Sequence, residues 1–193
     1  MRIGIFGGSF NPPHKMHYNI GKELIRMGYI DKVIYVPTGS KYIYKDNLVD
    51  DSDRYNMLSI MIEDDERFIV SDFELRNRNV YTYETLDYFQ KTYPNDEIYF
   101  ILGTDNLSYI DQWEKGEDLL LNKKFLVVKR KTDDINLLLD KYQKYRSNII
   151  VSDVLESDVS STDIREKLQK KEDVLDFLSE GVYNYILENK LYG

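Results

Sequence analysis

No cysteine occurs among the 193 residues. That absence excludes a disulfide scaffold, a thiolate metal site and a cysteine nucleophile. Alanine is missing too, a compositional bias that carries no functional reading. Only four prolines and ten glycines punctuate the chain, and no Pro/Gly-rich linker divides it, so one domain is expected over 1–193. Long apolar runs are lacking: Ile3-Gly4-Ile5-Phe6 is a strand's worth of hydrophobic residues, neither a signal-peptide core nor a membrane span. A soluble, cytoplasmic protein with no membrane partner is the expectation. Positive charge is also short, with 26 Lys+Arg against 34 Asp+Glu and a net charge of −8. That balance argues against a nucleic-acid binder. Taken alone it would argue equally against any anionic ligand, but the first 17 residues contradict that.

What is present suffices for a core: 42% of residues are hydrophobic and 13% aromatic, including 17 tyrosines. Short β-like runs alternate with longer helical ones. Strands are expected at Arg2–Phe6, Lys32–Val36, Phe68–Ser71, Glu97–Leu102, Lys124–Lys129 and Asn148–Val151. Helices are expected at His14–Met27, Arg54–Ile62, Tyr83–Lys91, Ser161–Lys170 and Ser179–Asn189, the last two forming a C-terminal helical part from about residue 160. The alternation implies βαβ units, and so an α/β fold with a parallel sheet covered by helices on both faces. Ligands of such sheets bind beyond the carboxyl ends of the strands. The chemistry is therefore expected at Phe6-Gly7, Val36-Pro37, Leu102-Gly103, Lys129-Arg130 and Val151-Ser152.

Gly7-Gly8-Ser9-Phe10-Asn11-Pro12-Pro13-His14-Lys15-Met16-His17 follows the first strand. Two glycines permit a sharp turn and close approach of a ligand to backbone N–H groups. The helix start that follows favours anions. His14 and His17, the chain's two histidines, are three apart and so share one helical face. Each can donate to a phosphate. Zinc would need further ligands that no cysteine or third histidine can supply, and neither a G-x-G-x-x-G fingerprint nor a G-K-[ST] loop is present. Near the other end, Val159-Ser160-Ser161-Thr162-Asp163-Ile164-Arg165 offers a serine N-cap and, one turn in, an arginine fork suited to phosphate. An ordinary capped helix would look the same.

Together these segments resemble the two signatures of the HxGH-type nucleotidyltransferase superfamily, G-x-F-x-P-x-H-x-G-H and [IV]-S-S-[TS]-x-[IL]-R. Met16 stands where a small residue is usual. The middle of the chain narrows the resemblance. Asp53-Arg54-Tyr55-Asn56-Met57-Leu58, Phe68-Ile69-Val70-Ser71-Asp72-Phe73-Glu74-Leu75, Tyr81-Thr82-Tyr83-Glu84-Thr85-Leu86, and Tyr99-Phe100-Ile101-Leu102-Gly103-Thr104-Asp105 with Trp113 resemble blocks of the bacterial nicotinate mononucleotide adenylyltransferases. The likeness covers nearly the whole chain. It implies a Rossmann-like, doubly wound sheet and transfer of AMP from ATP to nicotinate mononucleotide, giving nicotinate adenine dinucleotide and pyrophosphate in NAD biosynthesis.

The resemblance also assigns residues. His14, His17 and Arg165 would be catalytic. Gly7, Gly8, Ser9, Phe10, Asp105, Ser160, Ser161 and Thr162 would bind ATP, with Asp105 on the ribose. Lys45, Thr82, Thr85, Trp113 and Arg130 would bind the acceptor, with Trp113 stacked on the pyridine ring and Lys41 as an alternative to Lys45. Mg²⁺ would arrive on the ATP phosphates, with no dedicated protein ligands. Transfer to nicotinamide mononucleotide, to another phosphate such as phosphopantetheine, or a non-catalytic nucleotide-binding module are the alternatives. The oligomeric state stays open, a homo-oligomer included.

Overall fold

The computed structural model describes residues 1–41, 47–62, 65–130, 134–156 and 159–193. Strands β1 (Arg2–Gly8), β2 (Lys32–Pro37), β3 (Phe68–Val70), β4 (Glu97–Gly103), β5 (Lys124–Arg130) and β6 (Ile149–Glu156) form one sheet in the order 3-2-1-4-5-6. Every pair is parallel. This is the doubly wound, Rossmann-like order, with its switch point between β1 and β4.

A parallel sheet buried on both faces needs apolar residues at odd and even positions alike. Val33 and Tyr35 of β2, Tyr99 and Ile101 of β4, and Leu126 and Val128 of β5 face one core; Ile34, Val36, Ile98, Phe100, Leu102, Phe125 and Val127 face the other. The first core is closed by α1 (Lys15–Arg26), α2 (Asp51–Ile62), α7 (Ser161–Gln169) and α8 (Glu180–Glu188), through Ile20, Leu24, Met57, Leu58, Ile164, Val182 and Ile186. The second is closed by α3 (Thr82–Thr92), α4 (Thr104–Leu107), α5 (Gly116–Asn122) and α6 (Ile135–Lys141), through Leu86, Phe89, Leu107, Leu119 and Leu120, with Leu138 packed at its margin. Burying each such side chain contributes about 1.5–3 kcal/mol.

Most expected elements are present, their ends shifted by one or two residues. Three departures have physical causes. Helices α4, α5 and α6 were not expected; at four and seven residues they are too short to display a helical period. Helix α2 begins at Asp51, before its expected start at Arg54. Strand β6 does not stop at Val151 but runs on to Glu156, through an irregularity between Val127 and Lys129 of β5. Ser152 is buried there and donates its Oγ–H to the Val127 carbonyl at 3.0 Å. The expected site at Val151-Ser152 is therefore a buried structural bond.

Candidate active site

At the carboxyl ends of β1, β2, β4 and β5 lies a cleft of about 770 Å³. Its walls include Gly7, Gly8, Ser9, His17, Thr38, Leu102, Gly103, Asp105, Trp113 and Arg130. Four of the five expected strand ends thus meet in one place.

The first motif builds one side of the cleft. Gly7 and Gly8 do not form the turn: β1 runs through both. Their missing side chains serve packing instead, since a Cβ on Gly8 would lie 3.1 Å from the Phe10 ring and one on Gly7 would lie 3.3 Å from Phe100. The turn is made by Phe10, held at φ 46° in the left-handed region that non-glycine residues rarely adopt. Phe10 is buried and meets the His17 ring edge-on at 4.9 Å, so it supports the histidine from outside the cleft lining.

His14 is the extended N-cap of α1 and not its first helical residue. The two imidazoles nevertheless stack, with centroids 3.7 Å apart. The His14 backbone N–H donates to His17 Nδ1 at 3.1 Å. A neutral His17 then carries its proton on Nε2. His17 lines the cleft, whereas His14 is buried against it with Nδ1 lacking a hydrogen-bond partner among the described residues.

The second motif docks onto the first. Ser160 is the N-cap of α7 and exchanges bonds with Asp163, whose N–H reaches Ser160 Oγ at 3.2 Å. Ser161 Oγ donates to the Pro12 carbonyl at 2.8 Å. Arg165 donates from Nη1 to the Asn11 carbonyl at 2.8 Å and from Nη2 to Thr162 Oγ1 at 3.2 Å. Ser161 and Arg165 therefore brace the histidine loop, Ser160 caps α7 and Thr162 holds Arg165, and none of the four lines the cleft itself.

The acceptor residues divide. Thr82, Trp113 and Arg130 line the cleft. Trp113 is half-buried, with Phe100 and Tyr109 edge-on to its ring at 6.1 and 6.2 Å, so it is neither a core filler nor free on the surface. Asp105 does not cap α4, whose N-cap is Gly103; it pairs with Arg130 at 3.2 Å. Thr85 is placed differently from the expectation. It is 1% exposed, one turn inside α3, and donates its hydroxyl to Glu74 Oε1 at 2.6 Å. Lys45 lies outside the described residues; Lys41 is exposed.

A cytidylyltransferase-like family model matches residues 5–167. The chain belongs to that family. Relatives of matching length agree: a probable nicotinate-nucleotide adenylyltransferase of Clostridium tetani is 37% identical, with 97% of each chain covered. Another from Carboxydothermus hydrogenoformans is 34% identical, covering 99% of this chain and 98% of its own. A solved structure of the Plasmodium falciparum nicotinic acid mononucleotide adenylyltransferase complexed with NaAD superposes with a TM-score of 0.83 at 24% identity, covering 99% and 97% of the two chains. As a cytidylyltransferase-like protein the chain is a nucleotidyltransferase.

The electrostatics suit that class. Burial pushes His14 down to about 4, and burial together with His14 drives His17 well below its ordinary value. Both imidazoles are therefore neutral donors at pH 7, not standing charges. The cleft is not plainly basic: Glu74, Asp105 and Glu114 line it alongside Lys115 and Arg130. Two of these acids are muted, Asp105 by its arginine and Glu74 because burial raises its carboxyl to about 7. Among the described residues no group of three or more His, Cys, Asp or Glu is placed to hold a metal ion.

Sequence reasoning assigned no role to two residues that matter here. Glu74 falls in the Phe68–Leu75 segment and lines the cleft. Arg54 is fully buried and donates to Ser9 O at 2.9 Å, Val49 O at 3.2 Å and Asp51 Oδ1 at 2.6 Å. An arginine near a helix start reads as solvated; no local signal marks it as buried.

Proposed function

We propose that the chain transfers AMP from ATP to nicotinate mononucleotide. One observation carries the reading. A single cleft is lined at one strand end by Gly7, Gly8, Ser9 and His17, groups suited to phosphate, and elsewhere by Trp113 and Thr82, groups suited to a pyridine ring and its ribose. The curated relatives carry that activity in their names.

In this reading a phosphate oxygen of the mononucleotide attacks the α-phosphorus of ATP in line. The bond to the bridging oxygen breaks, and pyrophosphate leaves with the electron pair. No covalent enzyme intermediate is needed, so the protein contributes position and charge stabilisation. His17 Nε2–H donates to the α-phosphate as charge develops. His14, stacked on His17 with centroids 3.7 Å apart, is the second histidine of the pair. Arg165, with donors beyond those given to Asn11 and Thr162, meets the β- and γ-phosphates together with the start of α7. Mg²⁺ enters as part of the ATP substrate and neutralises phosphate charge. Asp105 takes the ribose hydroxyls, and Trp113 stacks on the pyridinium. The enzyme acts in the cytoplasm as one domain.

Pyrophosphate release from ATP with a panel of phosphate acceptors tests the proposal. Release should depend on nicotinate mononucleotide. Release with phosphopantetheine alone, or with no acceptor, would reject it. Trp113→Ala should raise KM for the mononucleotide roughly tenfold while changing KM for ATP little. Equal rises in both would remove the stacking role.

A further inference from the structure

Glu74 poses a problem for an anionic acceptor. It is a carboxyl in the wall of a cleft that is to receive a pyridine carboxylate. Its backbone is packed closely: a Cβ on Gly39 would fall 2.3 Å from the Glu74 main-chain carbonyl oxygen. One carboxyl oxygen, Oε1, accepts from Thr85 at 2.6 Å. Glu74 Oε2 makes no hydrogen bond among the described residues.

We infer that Glu74 sets which pyridine mononucleotide the cleft accepts: protonated, its Oε2–H donates to a ring carboxylate; ionised, Oε2 accepts from a ring carboxamide. This rests on the acceptor reading above. A carboxamide can pair with either form of Glu74, through its C=O or its N–H, whereas a ring carboxylate can pair only with the protonated form, so loss of the proton penalises the carboxylate. An ionised Glu74 facing a carboxylate has no proton to share and adds repulsion. Facing a carboxamide it has an N–H partner.

The surroundings place this exchange near neutrality. Burial raises Glu74 to about 7, Glu84 on α3 adds to the rise, and Thr85 opposes it. Arg78 offsets Glu84 through a 2.8 Å ion pair. Asp72 and Arg76 lie on Glu74's own segment, and Arg76 stacks over the Phe73 ring at 4.9 Å. Glu114, Lys115 (held over the Tyr83 ring at 3.8 Å), the Asp105–Arg130 pair and neutral His17 also line the cleft. The Glu74 carboxyl itself accepts from Thr85.

The test is the ratio of kcat/KM for nicotinate mononucleotide to that for nicotinamide mononucleotide, measured with MgATP between pH 6 and pH 9. The ratio cancels every ionisation common to the two reactions, including those of ATP, the acceptor phosphate and the histidines. In the wild type it should fall about tenfold or more across this range, as a group half-ionised near pH 7 loses its proton. Glu74→Gln, which keeps an N–H donor at every pH, should hold the ratio flat and high. That variant should also fold at least as well as the wild type above pH 7. A carboxyl whose folded value is raised loses stability as pH rises from its unfolded value toward the folded one, so the full cost is present above pH 7, and glutamine removes it. Thr85→Val, which removes the bond opposing the rise, should move the fall to higher pH. A wild-type ratio that stays flat, or a Glu74→Gln profile that still falls, overturns the assignment while leaving the acceptor reading intact. No pyrophosphate from the wild type with either mononucleotide would remove both.

Discussion

His17→Ala should lower kcat about 10²–10³-fold, the usual loss when one preorganised donor to developing charge is removed. The argument is geometric. His17 is the histidine that lines the cleft, and its tautomer is set from within the chain by the His14 backbone N–H on Nδ1. The Phe10 ring edge fixes the plane of the imidazole, and the Tyr35 hydroxyl holds the His17 carbonyl at 2.9 Å. A donor so constrained needs no reorganisation as the α-phosphorus becomes pentacoordinate. Because the imidazole is neutral at rest, its removal takes away a directed N–H rather than a net charge. KM for ATP should therefore move much less than kcat. Single-turnover pyrophosphate release at saturating ATP, with circular dichroism to verify the fold, checks this. Normal turnover in a well-folded variant would end the assignment.

Arg54→Ala should be the costliest change away from the cleft, destabilising the protein by roughly 3–5 kcal/mol, as expected when one partner of a buried ion pair is removed. Arg54 is fully buried, and its guanidinium joins three segments: the Ser9 carbonyl, the Val49 carbonyl and Asp51. Truncation strands two carbonyls and a partly buried carboxylate and leaves a side-chain-sized void. The burial also pulls the arginine below its ordinary value, although Asp51 resists this and the group stays charged. Denaturant unfolding gives the stability loss. Because Ser9 opens the loop to the histidines, the folded fraction should also show a raised KM for ATP. Arg54→Lys, which keeps the charge but not the fork, should recover only part of either effect. A neutral outcome for the alanine variant would mean that the loop is held by its other ties.

Much of this architecture could be read from the order of residues. The strands announced themselves because a sheet buried on both faces demands unbroken apolar runs such as Ile98–Leu102 and Phe125–Val128. The helix start at Ser160-Ser161 was legible because capping is local chemistry. What could not be read was long-range. The Gly7-Gly8 pair looked like a turn, and only the Phe10 and Phe100 rings packed on it explain why both glycines are needed within a strand. The resemblance made Thr85 an acceptor contact; the fold turns it inward onto Glu74. Serine and arginine in the second motif looked like direct phosphate ligands, yet in the structure they first grip the backbone of Asn11 and Pro12.

That grip has a consequence for how the site comes into being. The loop around Asn11 is tied to Asn47, Val49 and Arg54 in the middle of the first half, and finally to Arg165 and Tyr192, partners 154 and 181 residues further along. Contacts that close such long stretches of chain are the slowest to form and the last to be rewarded. The two histidines are thus among the earliest residues made and among the latest to be arranged. A fragment ending before α7 would contain both of them, with β1 and α1, and still lack the shape that presents His17 to a nucleotide. Competence for chemistry is in this sense a property of the finished topology, and the first motif is a binding loop only by virtue of the last.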